Sequence, residues 1–268
     1  MNRSEIIKLI AAREKPWDII VIGGGATGVG CAVDASSRGF DVLLLEQHDF
    51  GKGTSSRSTK LVHGGVRYLA QGNISLVREA LKERGILLKN APHVVHKQEF
   101  IVPCYSLWHK IFYGTGLKVY DLMSGKYSIG RSRMLSKSQT LDHLPSIKSE
   151  GLSGGVLYYD GQFDDTRLLI DLVKTAHAHS AAVLNYARVK AFEKINGRIS
   201  SVEFEDAEGG ETFSVKAKIV INAPERRLEL EQFLEDHGDA TAEEDREILD
   251  ELSDQPPSSV GLSRRKER

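Results

Sequence analysis

Three glycines near the amino terminus have the spacing of a phosphate-binding turn. Gly23, Gly25 and Gly28 follow the pattern G-x-G-x-x-G directly after the apolar run 19–22. In this pattern the first glycine allows a sharp turn, the second lets the backbone approach a diphosphate, and the third lets the next helix pack closely. The unpaired amides at the start of that helix favour the binding of phosphate. The spacing therefore predicts a dinucleotide-binding site.

A carboxylate lies where the same arrangement contacts a ribose. Glu46 follows a second apolar run, residues 41–45, and comes 18 residues after Gly28. An acidic side chain at this place binds the hydroxyl pair of an unphosphorylated ribose. Glu46 therefore favours FAD or NAD over NADP. Glycines at this spacing also arise by chance in loops, but the order strand, glycines, helix, strand and acid supports the site.

These residues need a parallel β-α-β unit to position them. The run 19–22 predicts a buried strand, residues 26–38 have helical periodicity, and residues 41–45 predict the next strand. The other predicted elements are helices over 75–90 and 164–181, strands over 99–102, 155–159 and 182–185, an antiparallel meander over 189–215 and a separate last parallel strand over 218–222. Ser75 is the expected cap of the helix that begins there.

Composition and termini exclude several classes of protein. The 268 residues carry a net charge of −1, which gives no indication of a nucleic-acid partner. Cys31 and Cys104 predict neither a disulfide framework nor a metal cluster, and His177 and His179 do not share a helical face, so no metal site is expected.

Residues 1–16 predict a short helix that packs on the domain, with a membrane-surface role less favoured. They contain no apolar run long enough for a signal peptide or membrane span, and we expect a cytoplasmic protein.

A long polar segment follows Glu46. Residues 47–74 have no regular periodicity, and residues 53–69, which we call the hydroxyl-rich loop, read GTSSRSTKLVHGGVRYL. Such a long loop inside a compact domain is usually a binding loop or disordered. Its apolar residues predict burial, which favours a binding loop over a flexible linker. A polar loop that satisfies its own backbone is the alternative.

Two motifs together resemble a known enzyme family. The run IGGGATGVGCAVDASSRG at 22–39 and the hydroxyl-rich loop are similar to those of the FAD-dependent glycerol-3-phosphate dehydrogenases. The similarity continues through YDLMSGKYSIG, LSKSQTLDHLP and GGVLYYDGQFDDTRL and ends with AKIVINA, so it covers about residues 17–223. It implies FAD as the cofactor and a glutathione-reductase-like α/β fold. That fold has a central parallel sheet, a small antiparallel meander and, in this chain, an incomplete substrate domain.

The resemblance also implies roles for residues of the loop. The residues expected to line the flavin and the diphosphate are Ser55, Ser56, Lys60, His63, Gly64 and Gly65. Hydroxyls and glycine amides can satisfy phosphate and flavin oxygens, and Lys60 would supply compensating charge. In the family the arginine of HGGxRYL lies near the substrate pocket. We therefore expect Arg67 to bind the phosphate of glycerol 3-phosphate and Tyr68 to form the pocket wall, a salt bridge of Arg67 to a carboxylate being the alternative.

The reaction implied by the resemblance is the oxidation of sn-glycerol 3-phosphate to dihydroxyacetone phosphate, with electrons passed to quinone. His63 is the nearest candidate for the general base, although a flavin contact fits it equally well.

Residues 105–127 are rich in aromatic and lysine residues. A helix packed on the domain is the favoured interpretation of this segment. Peripheral contact with the inner face of the cell membrane is the alternative, because the quinone-reducing members are peripheral membrane enzymes.

The carboxyl-terminal segment differs in kind from the rest. Pro224 follows the INA strand where the family has Thr-Gly, and residues 224–268 are highly charged. This composition predicts a tail that is partly helical or disordered, after an FAD-binding region over 17–223. The chain is therefore expected to be the amino-terminal part of a dehydrogenase, with activity impaired by truncation. A non-catalytic FAD-binding remnant and an NAD-linked reductase are the alternatives, and the hydroxyl-rich loop argues against the second.

Overall fold

A computed structural model describes residues 2–70, 72–195 and 198–223. The side chains of residues 67, 70 and 198 are outside this description. The charged tail, residues 224–268, and residues 196–197 of the predicted meander also lie outside the described residues.

The described residues form helices and strands that alternate along much of the chain. The helices are α1 (Arg3–Ala11), α2 (Ala26–Ser37), α3 (Val66–Ala70), α4 (Ile74–Asn90), α5 (Leu107–Ser124), α6 (Lys137–His143) and α7 (Asp165–Ala178). The strands are β1 (Trp17–Ile22), β2 (Val42–Leu45), β3 (Leu61–Val62), β4 (Val95–Cys104), β5 (Arg133–Leu135), β6 (Gly154–Phe163), β7 (Ala182–Leu184), β8 (Ala187–Ile195), β9 (Arg198–Asp206) and β10 (Thr212–Asn222). Short 3₁₀ turns lie at Thr54–Ser56 and Gly125–Tyr127.

Within the described ranges, six strands form the first sheet, in the order β7-β2-β1-β10-β9-β8. Adjacent strands among β7, β2, β1 and β10 run parallel to one another. On the other side of β10, the strands β10, β9 and β8 form the antiparallel meander. The predicted parallel sheet with a small meander is therefore confirmed. The predicted last parallel strand over 218–222 is confirmed by its pairing with β1, but it is continuous with the third strand of the meander, because β10 pairs first with β9 and then, from Ala217 onward, with β1. No turn residue interrupts β10, so one strand joins the meander to the parallel sheet.

Strand β2 and residues 19–22 of β1 are apolar throughout, because both faces of the first sheet are covered. Leu43 and Leu45 are buried on one face, where Ile6 and Ile10 of α1 also pack. Leu44 is buried on the opposite face, against residues of α2 and α7. Successive residues of a strand point to opposite faces, so a doubly covered strand needs a continuous apolar run. The same packing holds α1 against the domain.

The second sheet is built around β6. Strand β4 pairs with the whole of β6, from Val95 opposite Phe163 to Cys104 opposite Gly154, and β3 and β5 also pair with β6. The predicted strand over 99–102 is too short, because β4 continues through Pro103. A proline lacks an amide hydrogen but is tolerated on an edge strand, and β4 lies at one end of the order β3-β6-β4.

The segment before α4 is more ordered than its sequence indicates. Residues 47–74 were expected to lack regular structure, but they contain a 3₁₀ turn, β3 and α3. Strand β3 forms by pairing with β6, a distant partner that local periodicity cannot reveal. The cap of α4 is Asn73, whose side chain accepts a hydrogen bond from the amide of Leu76 at 3.2 Å, and not Ser75.

Helix α5 has one buried and one exposed apolar face. Leu117 and Tyr120 are buried, whereas Trp108 is 79% exposed and Leu122 is 82% exposed. In the part of the chain that the structure describes, no helix combines the length and the apolar character needed to cross a bilayer.

Candidate functional site

The glycine turn (residues 23–28) joins β1 to α2 in a conformation that needs glycine. Gly23 has a φ of +109°, in the region that side chains rarely allow, and its amide donates to the carbonyl of Leu45 at 2.9 Å. A Cβ atom on Gly28 would lie 2.0 Å from the carbonyl oxygen of Gly23. The third glycine of the pattern therefore lets α2 pack directly against the turn.

The carboxylate of Glu46 lies beside this turn. Its Oε2 accepts a hydrogen bond from the amide of Gly24 at 2.6 Å, and its Oε1 accepts one from the amide of His48 at 2.8 Å. A Cβ atom on Gly24 would lie 2.7 Å from the Cβ atom of Glu46. The pattern of three glycines did not single out Gly24, although the unbroken run of glycines was a visible signal. Each carboxylate oxygen can accept more than one hydrogen bond, so Glu46 retains acceptor capacity for hydroxyl groups.

The hydroxyl-rich loop contacts the start of α2. Gly25 is the N-cap residue of α2 and has no side chain with which to cap the helix. The Oγ atom of Ser55 instead accepts a hydrogen bond from the amide of Ala26 at 2.9 Å. The tertiary structure thus brings the two segments predicted to bind one dinucleotide into direct contact. The amide of Ala26 is thereby satisfied, and a serine hydroxyl, which both accepts and donates hydrogen bonds, suits a place beside an anionic ligand at the helix start.

Lys60 is held by an internal ion pair. Its Nζ atom lies 2.8 Å from Oδ1 of Asp165 and donates to the carbonyl of Ser56 at 3.2 Å. The side chain of Lys60 is 48% exposed and that of Asp165 is 2% exposed. Burial alone would raise the pKa of Asp165, but hydrogen bonds from Lys60, Ser58 and the amide of Thr166 outweigh it and lower the pKa to about 2. Any positive charge that Lys60 offers to a diphosphate is therefore shared with this carboxylate.

Asp165 is a residue that the sequence prediction missed. Either of the consecutive residues Asp164 and Asp165 could cap α7 by its type, and the structure assigns the cap to Asp164, which accepts a hydrogen bond from the amide of Arg167 at 2.9 Å. The sequence did contain a signal for Asp165. Only one of two consecutive aspartates can occupy the cap position, so the carboxylate of the other can make a different contact.

The predicted flavin-lining residues His63, Gly64 and Gly65 lie at the end of β3. Gly64 is buried, and its amide donates to Oδ1 of Asp160 at 3.2 Å. A Cβ atom on Gly64 would lie 2.3 Å from the hydroxyl of Tyr120. Gly65 has a φ of +70°, and its amide donates to Nδ1 of the exposed His63 at 3.2 Å. Both glycines are required by their surroundings.

Behind this segment lies a buried polar cluster, formed by Arg84, Tyr120, Ser124 and Asp160. Nη1 of Arg84 is 2.9 Å from Oδ1 of Asp160, and the two side chains are 1% and 3% exposed. The hydroxyl of Tyr120 donates to Oδ2 of Asp160 at 3.0 Å. Burial, followed by the nearby charge of Asp160, raises the pKa of Tyr120 far above its usual range. Sequence reasoning missed this cluster, because charged residues are rarely fully buried unless they are paired and the pairing is long-range.

The two residues expected to contact substrate lie on α3. Tyr68 is 42% exposed, and its amide donates to the carbonyl of Gly65 at 2.8 Å. The backbone of Arg67 belongs to the same helix, and its side chain lies outside the described part of the chain. The assignment of Arg67 to phosphate binding and of Tyr68 to the pocket wall stays a prediction.

Among the described residues, no group of three or more His, Cys, Asp or Glu side chains could hold a metal ion.

The sequence is similar to proteins named glycerol-3-phosphate dehydrogenase. The mitochondrial glycerol-3-phosphate dehydrogenase of Rattus norvegicus is 44% identical over an alignment of 220 positions that covers 77% of this chain and 30% of that protein. The aerobic glycerol-3-phosphate dehydrogenase of Staphylococcus epidermidis is 43% identical over 214 residues, which are 79% of this chain and 38% of that protein. The chain thus spans about a third of the length of these relatives.

Solved structures agree with this similarity. The glycerol-3-phosphate dehydrogenase of Bacillus halodurans, solved in complex with FAD, is 36% identical with a TM-score of 0.63, covering 83% of this chain and 36% of that one. An L-proline dehydrogenase from P. horikoshii, 20% identical with a TM-score of 0.58, covers 78% of this chain and 53% of that one and shares the fold. The family model for FAD dependent oxidoreductases matches residues 18–230. The resemblance read from the motifs is therefore confirmed, and the chain belongs to the family of FAD-dependent oxidoreductases.

Proposed function

We propose that this chain is the FAD-binding part of a glycerol-3-phosphate dehydrogenase. The observation that carries the proposal is the hydrogen bond from the amide of Ala26 to Ser55, because it joins the glycine turn to the hydroxyl-rich loop. An NAD-binding domain needs only the first of these two segments. The FAD-dependent family and the similarity to glycerol-3-phosphate dehydrogenases support the same conclusion.

The residues of the chain fit FAD. The space that a Cβ atom on Gly28 would fill lets the helix approach the turn closely, as a diphosphate site requires. In the proposal, Gly23, Gly25 and Gly28 hold the diphosphate and Glu46 holds the adenosine ribose. The residues proposed to contact the remaining phosphate and flavin atoms are Ser55, Ser56, Lys60, His63, Gly64 and Gly65.

When bound, FAD supplies the two-electron acceptor for oxidation of the C2 hydroxyl of sn-glycerol 3-phosphate to the ketone of dihydroxyacetone phosphate. Arg67 binds the substrate phosphate, since a planar guanidinium can donate two parallel hydrogen bonds to phosphate oxygens. Tyr68 forms the wall of the pocket and excludes water from the reacting carbon. These roles orient the substrate without requiring either residue to transfer a proton.

His63 suits a cofactor contact better than a general base. Its Nδ1 atom accepts the Gly65 amide, so the neutral ring carries its proton on Nε2. In this tautomer Nε2 donates a hydrogen bond, as a contact with an acceptor atom of the flavin requires. We therefore assign His63 to holding the flavin, and no described residue is assigned as the base.

The acceptor of the electrons is proposed to be quinone, with the protein lying on a membrane surface. Support comes from the exposed apolar face of α5, where Leu107 is 69% exposed and Trp108 is 79% exposed. Aromatic and apolar side chains on one face of a helix can rest at the boundary between headgroups and acyl chains. Co-sedimentation of the chain with lipid vesicles, lost in Trp108→Ser, would support this location, and equal sedimentation of both proteins would contradict the role of α5.

A second candidate is an FAD-binding module without dehydrogenase activity of its own. Such a module would bind FAD through the same glycine turn and hydroxyl-rich loop but would not oxidise glycerol 3-phosphate. An NAD-linked reductase is not favoured, because the family model that matches the chain is FAD-dependent.

The visible absorption of the purified chain, before and after addition of FAD, tests these candidates. A flavin spectrum that bleaches on anaerobic addition of glycerol 3-phosphate supports the dehydrogenase, and a flavin spectrum that does not bleach supports the module. Failure to bind added FAD contradicts both. In the matched variant Gly25→Val we expect no flavin retention, because a side chain there fills the space that the diphosphate needs.

A further inference from the structure

The carboxylate of Asp165 is buried and does not serve as the cap of α7. Asp164 already caps α7, so Asp165 is not needed for that purpose. Its Oδ2 atom accepts hydrogen bonds from the hydroxyl of Ser58 at 2.8 Å and from the amide of Ser58 at 3.2 Å. Lys60 donates to Oδ1 at 2.8 Å and to Oδ2 at 2.9 Å. A single carboxylate therefore holds two residues of the hydroxyl-rich loop.

The loop has a backbone conformation that depends on these contacts. Lys60 has a φ of +58°, a left-handed conformation that is unfavourable for a residue with a long side chain. Its amide donates to the hydroxyl of Ser58 at 2.9 Å, and its ammonium group donates to the carbonyl of Ser56 at 3.2 Å. The bonds to Asp165 complete this arrangement, and together they fix the path of residues 56–60.

The same path determines where Ser55 lies. Ser55 and Ser56 belong to the 3₁₀ turn immediately before the segment that Asp165 holds. The hydroxyl oxygen of Ser55 accepts a hydrogen bond from the amide of Ala26, the first residue of α2. The chain of contacts thus runs from α7 through Ser58 and Lys60 to the start of α2.

We propose that Asp165 is a positioning residue for the cofactor, which sets the hydroxyl-rich loop so that Ser55 and Ser56 meet the diphosphate. This inference rests on the proposed binding of FAD. Asp165 itself does not contact the ligand and acts through Ser58 and Lys60. The carboxylate remains ionised well below neutral pH, since its pKa is lowered to about 2.

The sequence offers a matched pair of variants. Asp165→Asn removes the charge that holds Lys60, whereas Asp164→Asn makes the same change one residue earlier, at a cap position where asparagine is as effective as aspartate. Lys60 is 48% exposed, so water can solvate its ammonium group when the partner is removed. We therefore expect both variants to remain folded, with the unfolding temperature of the apoprotein unchanged in Asp164→Asn and lowered in Asp165→Asn by the loss of the ion pair.

The first measurement is a fluorescence titration of each apoprotein with FAD. We expect the dissociation constant to rise about tenfold or more in Asp165→Asn, from the loss of hydrogen bonds to a charged group, and to stay unchanged in Asp164→Asn. In a double-mutant cycle, the effects of Asp165→Asn and Lys60→Gln should be less than additive, because both remove the same ion pair. Equal affinities of Asp165→Asn and the parent would overturn the proposal, and so would an equal loss in Asp164→Asn.

The second measurement is the rate of tryptic cleavage after Arg57 and Lys60 in the absence of FAD. Loss of positioning should speed cleavage in Asp165→Asn relative to the parent and to Asp164→Asn, and an unchanged rate would overturn the proposal. If Asp165→Asn does not fold, Lys60→Gln breaks the same contact from its exposed side, with cleavage followed after Arg57. If the parent binds no FAD, the proposed function fails while the cleavage rates still decide whether Asp165 orders the loop.

Discussion

On the first sheet the buried side chains around β1 and β2 are apolar, whereas behind the second sheet an arginine and an aspartate are buried together. Leu43 and Leu44 are fully buried among apolar residues of the two faces. Arg84 and Asp160 are buried in the polar cluster together with Tyr120. Apolar contacts are non-directional and tolerate exchange of similar side chains, whereas a buried ion pair fails when one partner is lost.

The contrast between apolar packing and a buried ion pair also distinguishes how the two segments proposed to bind the cofactor are held in place. On the first sheet, backbone conformation and close packing set the glycine turn, as the contact of Gly28 with the carbonyl of Gly23 demonstrates. On the second sheet, a side chain positions Gly64, one of the glycines proposed to line the flavin, since Asp160 accepts a hydrogen bond from the amide of Gly64 while it pairs with Arg84. The hydroxyl-rich loop connects the two regions. Substitutions should therefore affect stability, substrate binding and cofactor binding to different extents in the two regions.

The largest effect is expected from breaking the buried ion pair. Arg84→Met leaves the charge of Asp160 buried without its partner and should lower the free energy of unfolding by about 3–5 kcal/mol. The exchange Leu43→Met in the first sheet should lower it by less than about 1.5 kcal/mol. Urea unfolding of both variants measures this contrast, and equal losses would contradict the distinction between the regions.

The double variant Arg84→Met with Asp160→Asn sharpens the same experiment. It removes both charges and keeps an acceptor oxygen for the amide of Gly64, so most of the lost stability should return. The Nε atom of Arg84 is buried without a hydrogen-bond partner among the described residues, which further limits the net value of the pair. A double variant no more stable than Arg84→Met would indicate that geometry, not charge, holds the cluster.

A smaller effect is expected from Arg67, which lies in the loop between the two regions. If the chain turns over glycerol 3-phosphate, Arg67→Ala should raise KM about tenfold or more by removing a charged hydrogen bond to the phosphate. The flavin content should stay that of the parent. The exposed Arg38, paired with Asp34, provides the control variant Arg38→Ala, in which both quantities should be unchanged. Loss of flavin in Arg67→Ala would instead assign Arg67 to the cofactor site.

The smallest effect near neutral pH concerns Asp165. Its folded-state pKa, about 2, lies below the ordinary value of 3.8, so its contribution to stability is fully present above pH 4 and is lost as pH falls towards 2. The difference in unfolding free energy between the parent and Asp165→Asn should therefore be constant from about pH 5 to 7 and shrink below about pH 4. Urea unfolding at several pH values measures it. A difference that grows on acidification would contradict the assigned ion pair.

Local sequence was sufficient for the nucleotide half of the fold. The strand ending at Ile22, the helix from Ala26 and the strand ending at Leu45 were predicted within one or two residues of their bounds. Their signals are periodicity and glycine spacing, both of which act between residues close in the chain. The meander was found in the same way, although β10 proved to be one continuous strand.

Local sequence was insufficient where distant residues meet. Strand β3 exists because it pairs with β6, and Lys60 is paired because α7 brings Asp165 against the loop. Asp160 and Arg84 carry no local signal of burial, since charged residues at such positions are usually exposed. The order of the chain cannot reveal these pairs without the fold.

The sequence by itself indicated the family, through the resemblance of its two long motifs to those of the dehydrogenases. It also determined the parallel β-α-β unit and the glycines that the turn requires, because these features follow from backbone sterics and short-range periodicity. Only the tertiary structure decided that Ser55 contacts the amide of Ala26, that Asp165 holds the loop and that Asp160 is buried with Arg84. Hydrogen bonds and ion pairs depend on distance and direction in space, which residue spacing does not fix when the partners lie far apart in the chain.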